Sequence, residues 1–125
     1  MSKIIVLGSG MVGSAIAIDL SKKYDVTVTD INPKALIKVK AKSGDKLNVL
    51  QLDASNKEEL TKAIMPFDLV VCAVPGFMGY STLTRIIEAK KNVVDISFFP
   101  ENSLELDALA KDNRVTAIVD CGVAP

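Results

Sequence analysis

The chain has 125 residues, enough for one domain with a modest core. Hydrophobic residues make up 49% and charges balance at fifteen of each sign, so nothing in the electrostatics calls for nucleic acid or an acidic membrane surface as partner. No apolar stretch reaches membrane-spanning length, histidine is absent, and two cysteines are too few for a disulfide framework. The missing histidine removes the commonest general base and most zinc sites, and no metal is expected. The first residues lead straight into a strand-like run, so no signal peptide is expected and a reducing cytoplasm is the expected compartment.

Lys3-Ile4-Ile5-Val6-Leu7 predicts the first strand. It feeds Gly8-Ser9-Gly10-Met11-Val12-Gly13, a complete G-x-G-x-x-G, and then an amphipathic segment near 11–23. Val26-Thr27-Val28-Thr29 predicts a second strand ending at Asp30, twenty positions past Gly10. Asn32-Pro33 places a capping amide before a proline and predicts a helix over 33–42. A third strand over 47–51 leads into Leu52-Asp53-Ala54-Ser55. Ser55-Asn56-Lys57-Glu58 reads as a capping box for a helix near 56–64, the Ser55 hydroxyl taking the N–H near Glu58. Met65-Pro66 stops that helix. A fourth strand over 69–74 closes on Val74-Pro75-Gly76, which predicts a turn before a helix near 78–90. A strand over 92–96, a helix near 101–112 and a strand over 115–119 complete the series.

Most of these runs are rich in valine and isoleucine, as strands buried on both faces are. Strands alternating with helices predict an α/β fold: a doubly wound parallel six-stranded sheet of order 3-2-1-4-5-6, with right-handed crossovers. Strand, glycine turn, helix and a following acidic residue form the dinucleotide-binding fingerprint in its confirming context. Residues 1–125 are therefore expected to form one Rossmann NAD(P)-binding domain.

Each glycine has its own expected task. Gly8 allows the tight turn, Gly10 lets a pyrophosphate approach the backbone, and Gly13 lets the helix pack closely, with small Ala17 one turn on. The first N–H groups of the helix, from Met11 and Val12 onward, are expected to point at the phosphates. Asp30, followed by Ile31, is expected at the adenosine ribose. Its charge would repel a 2′-phosphate by about 4 kcal/mol per charge pair at 4 Å and an effective dielectric near 20, before screening. That favours NAD over NADP, partly offset by nearby Lys34. The plainer reading of Asp30 is a cap for the helix at Pro33. Asp53 and Ala54 are candidates for the adenine, and Asp53 equally fits a role in the Ser55 cap. Ala73 and Val74 are expected, small and apolar, beside the second ribose, and Pro75-Gly76 enforces a turn. Phe98-Phe99-Pro100 either walls that pocket or packs under the sheet edge. Asp95, Asp120 and Cys121 end strands but read as turn or packing residues, and no catalytic residue is named.

Ala73-Val74-Pro75-Gly76, Asn92-Val93-Val94-Asp95-Ile96-Ser97 and Asp120-Cys121-Gly122-Val123-Ala124-Pro125 resemble the saccharopine dehydrogenase family, with its lysine 6-dehydrogenase and saccharopine reductase-like members. The likeness covers essentially the whole chain, as that family's N-terminal cofactor domain. It implies an NAD(P)-dependent oxidoreductase acting on the CH–NH bond of an amino-acid substrate, with Val74 and Pro75 on the nicotinamide side. It also implies a substrate domain past Pro125, absent here, without which the chain is not expected to be active. An apolar surface left bare by that absence would favour a homodimer.

The first 74 residues also resemble the nucleotide-binding domains that gate potassium transport, which implies a non-catalytic nucleotide sensor as the alternative. Val74-Pro75-Gly76-Phe77 and the closing Asp120-to-Pro125 motif speak for the enzyme.

Overall fold

The computed structural model describes residues 2–74, 76–96 and 109–118. The elements alternate: β1 (Lys3–Leu7), α1 (Met11–Leu20), β2 (Asp25–Asp30), α2 (Pro33–Lys42), β3 (Asn48–Gln51), α3 (Lys57–Ile64), β4 (Leu69–Cys72), α4 (Gly76–Glu88), β5 (Val93–Asp95) and β6 (Ala117–Ile118). All pairings are parallel, in the order β3-β2-β1-β4-β5-β6. Five strands make the body of the sheet. The sixth, expected over 115–119, is present as the two-residue pairing of Ala117 and Ile118 with Val93 and Val94. The expected order is the observed one.

The sequence pattern of β1 explains why it is central. Ile5 and Leu7 point to one face and Ile4 and Val6 to the other, and all four are buried. One face packs Ile5, Leu7, Val70 and Cys72 against Leu60 and Ile64 of α3 and Leu83, Ile86 and Ile87 of α4. The opposite face packs Ile4, Val6, Val26 and Val28 against Ala17 of α1 and Leu36 and Val39 of α2. Each such aliphatic side chain contributes about 1.5–3 kcal/mol on burial. Strand β3 departs from the expectation of two buried faces. It is the edge strand, and Asn48, Leu50 and Gln51 are exposed.

Two local expectations are corrected. The cap of α3 is Asn56 rather than Ser55: its amide oxygen accepts from the Glu59 N–H at 3.1 Å. The Ser55 hydroxyl is already committed, donating to Asp53 Oδ1 at 2.6 Å, so the cap moves one residue along. Gly76 belongs to α4 rather than to a separate turn, and β4 ends at Cys72, not at residue 74. Ala73 then donates its N–H to the Leu7 carbonyl at 2.8 Å, where the chain leaves the ladder.

Asn32 caps α2 as expected, accepting from Lys34 N–H at 3.0 Å with Pro33 in the first turn. Pro75, Phe98-Phe99-Pro100, most of the helix expected near 101–112, and Asp120 to Pro125 lie outside the described residues. Among the described residues no helix is long and apolar enough to cross a membrane.

Candidate functional site

The parallel register brings the carboxyl ends of four strands together. Leu7 lies opposite Thr29 and Cys72, and Asp30 lies opposite Gln51. The loops that leave these ends enclose a cleft of about 740 Å³, within the range of small-molecule sites.

The glycine turn forms its floor. Gly8 has φ +100°, a conformation that disfavours any side chain, and a β-carbon there would lie 2.6 Å from the Ala73 carbonyl oxygen. A β-carbon on Gly13 would collide with the Gly8 carbonyl oxygen and press the Ala73 methyl at 3.2 Å. Both glycines are therefore demanded by the fold itself. Gly10 is different. It takes ordinary φ −66° at the N-cap of α1, and among the described residues none but its chain neighbours lies within 4 Å of where its β-carbon would be. The start of α1 has no side-chain cap and no acidic residue in its first turn. Its first N–H groups, at the positive end of the helix dipole, carry no side-chain cap.

Asp30 closes one side of the cleft. Its Oδ2 accepts from the Ser9 backbone N–H at 3.0 Å and the Ser9 hydroxyl at 2.6 Å, and its Oδ1 accepts from the Asn32 N–H at 2.9 Å. Burial pushes its carboxyl up, but the Ser9 hydroxyl and the N–H groups of Asn32, Ser9 and Ile31 outweigh that and hold it below the usual value. The helix cap is Asn32, so Asp30 is not spent on that task. Asp53 turns on itself, its Oδ1 accepting from the Ser55 hydroxyl at 2.6 Å and the Ser55 N–H at 3.0 Å. Those two bonds hold its carboxyl below the ordinary value. The Arg85 guanidinium of α4 donates to the Ser55 carbonyl at 2.7 Å and ties this loop down.

Of the expected site residues, Gly8, Ser9, Gly10, Asp30, Ile31, Asp53, Ala54, Ala73 and Val74 all line the cleft. Met11 instead borders a second hollow of about 500 Å³ between α1 and α2. Val12 and Gly13 line neither, and Pro75 lies outside the described residues. Thr29, Leu52 and Ser55 line the cleft but were not anticipated. Their signal was adjacency: each flanks an expected residue at a strand end. The Ser9–Asp30 bond was also unanticipated, although strand order 2-1 sets the residues after β1 beside the end of β2.

A parallel sheet of this order, crossed by a glycine turn and a helix N-terminus at its carboxyl edge, defines a Rossmann-type dinucleotide-binding domain. The family model for the saccharopine dehydrogenase NADP binding domain matches residues 4–118, and the chain belongs to that family. It is an NAD(P)-binding domain of that family. The match runs well past the 74 residues on which the likeness to transport-gating domains rests.

Over 76 residues the chain is 29% identical to an L-glutamate-forming, NADP(+) saccharopine dehydrogenase of Pyricularia oryzae, covering 61% of this chain and 17% of that protein. Among solved structures, apo saccharopine dehydrogenase (L-Glu forming) from Saccharomyces cerevisiae superposes with a TM-score of 0.82 at 22% identity, over 97% of this chain and 27% of that one. A probable dehydrogenase from Thermotoga maritima superposes at 0.69 and 19% identity, over 93% of this chain and 34% of that one. The chain thus spans a minor part of the length of the relatives it matches.

Proposed function

We propose that the cleft holds NAD and that the domain serves an oxidoreductase acting on the CH–NH bond of an amino-acid substrate. Gly10 carries the cofactor part of this reading. The fold explains Gly8 and Gly13 without a ligand but leaves Gly10 unexplained, since no described residue outside its chain neighbours fills the space there. A pyrophosphate close to the backbone would fill that space and meet the uncapped N–H groups of α1.

In this reading Gly8, Ser9, Gly10 and Gly13, with the helix start at Met11 and Val12, hold the pyrophosphate. Asp30 and Ile31 take the adenosine ribose, Asp53 and Ala54 border the adenine, and Ala73, Val74 and Pro75 border the nicotinamide side. The ionised Asp30 accepts a ribose hydroxyl and repels a 2′-phosphate, which supports NAD although the family's description and the Pyricularia relative carry NADP.

The nicotinamide supplies hydride acceptance from the carbon bearing the nitrogen, or hydride donation in reverse. This chain's part is to bind, orient and keep that end of the cleft dry with Ala73 and the buried Val74. The family name and the saccharopine dehydrogenase relatives support the CH–NH substrate class, and we place the substrate-binding residues outside these 125 residues.

Two alanine variants test the cofactor site. Gly10→Ala should keep its melting temperature to within a few degrees, because its β-carbon meets nothing, yet lose NADH binding about tenfold or more by calorimetry. Gly13→Ala should lose about 1–3 kcal/mol of stability from overpacking against the Gly8 carbonyl. Undiminished NADH binding by Gly10→Ala would remove the main support for the site.

A further inference from the structure

The register that pairs Leu7 with Thr29 sets the residue two past β1 beside the residue that ends β2. The Gly8 N–H donates to the Thr29 carbonyl at 3.0 Å and locks that neighbourhood. Ser9 then meets Asp30 twice through one oxygen, Oδ2, while Asn32 N–H holds the other, Oδ1. Ser9 is itself held from behind, since the Ser14 hydroxyl of α1 donates to the Ser9 carbonyl at 2.7 Å. A carboxylate has about four lone-pair sites, and beside these three donors the Ile31 N–H also bears on it. Anchored at both oxygens, the carboxylate is held against rotation at the wall of the cleft.

Resting on the reading of the cleft as an NAD site, we infer that Ser9 is a positioning residue that sets the NAD/NADP preference by fixing the Asp30 carboxylate toward the adenosine ribose. Discrimination against a 2′-phosphate requires a negative group that stays in place. A carboxylate able to rotate would swing away from the phosphate, toward solvent or Lys34, and the penalty would fade. The Ser9 hydroxyl, at 2.6 Å the shortest of these bonds, opposes that rotation together with the Ser9 and Asn32 N–H groups. The hydroxyl is short and its partner is on a neighbouring strand end, so the restraint has no slack. Nothing in the glycine fingerprint requires serine at this position, because only the glycines are specified there.

NADH and NADPH share every group except the 2′-phosphate. A variant that merely loosens the glycine turn therefore weakens both alike, and only a change acting through Asp30 alters their ratio. The experiment is calorimetric titration of the 125-residue chain and of its Ser9→Ala and Ser9→Thr variants with NADH and with NADPH. Ser9→Ala should cut the NADH-over-NADPH affinity ratio about fivefold, the value of one hydrogen bond of ordinary strength. Ser9→Thr, which keeps the hydroxyl, should restore it. An unchanged ratio in Ser9→Ala, or an equal loss for both nucleotides, overturns the inference while leaving the cofactor site standing. Binding of neither nucleotide by the unaltered chain overturns the cleft reading and the inference with it. A preference for NADPH in the unaltered chain overturns the role given to Asp30.

Discussion

Gly8 and Gly13 face protein atoms that leave no room for a β-carbon, whereas Gly10 faces none. The spacing of the three glycines was legible in the sequence, but this division of labour was not. It depends on how close the Ala73 carbonyl of the β4 end comes to the β1 turn, which is a property of the folded sheet. Asp30 was legible as an acidic strand end, and its bonds to Ser9 were not, because they link residues 21 apart in sequence. Those bonds have a pH consequence. The folded carboxyl titrates below its ordinary value, about 3.9. Folding therefore favours the ionised form, and this contribution is fully present above the ordinary value and is lost as pH falls through the folded one. Carbon NMR of the Asp30 carboxyl should show a midpoint below that of a free aspartate, and Ser9→Ala should move it up. A midpoint at or above the free value would contradict the bonding described.

At the scale of elements, the bounds were easier to read than the bonds that set them. Asn32-Pro33 announces α2 and the structure uses it as written. The start of α3 was shifted by one because two adjacent residues, Ser55 and Asn56, both qualify as caps, and only the contact between Ser55 and Asp53 decides between them. The ends of α2 and α3 fall where expected, at Lys42 and Ile64, but the bonds that close the helices were not readable. After α2, Gly44 N–H donates to the Ala41 carbonyl and Asp45 N–H to the Lys40 carbonyl, a Schellman closure with Gly44 at φ +67°. The same pair of bonds ends α4, from Lys90 to Ile87 and from Lys91 to Ile86, but the left-handed position is Lys90, at φ 62°. A third closure puts Arg114 there, at φ 58°. Sequence reading expects glycine at such sites, so lysine and arginine hide them. Because a lysine in this conformation carries a strain of about 1 kcal/mol, Lys90→Gly should raise stability by roughly that amount in urea unfolding, less the added chain entropy. A loss of stability would show that the Lys90 side chain contributes more than its backbone strain costs.

For the whole molecule, strand order was the most legible property. It follows from one glycine turn and a repeated alternation of short apolar runs with capped helices, and those signals are local. The edge position of β3 followed from that order, and its exposed Asn48, Leu50 and Gln51 agree with it. The family match over residues 4–118 and the 0.82 superposition on yeast saccharopine dehydrogenase place the chain as a cofactor domain, while the relatives are several times longer.

The cleft is the part that the isolated chain can answer for. Calorimetric titration of the unaltered chain with NADH and, separately, NADPH tests it most directly. The account predicts saturable one-to-one binding of NADH, tighter than that of NADPH. Binding of neither would contradict the assignment of the cleft, and tighter binding of NADPH would contradict the role of Asp30.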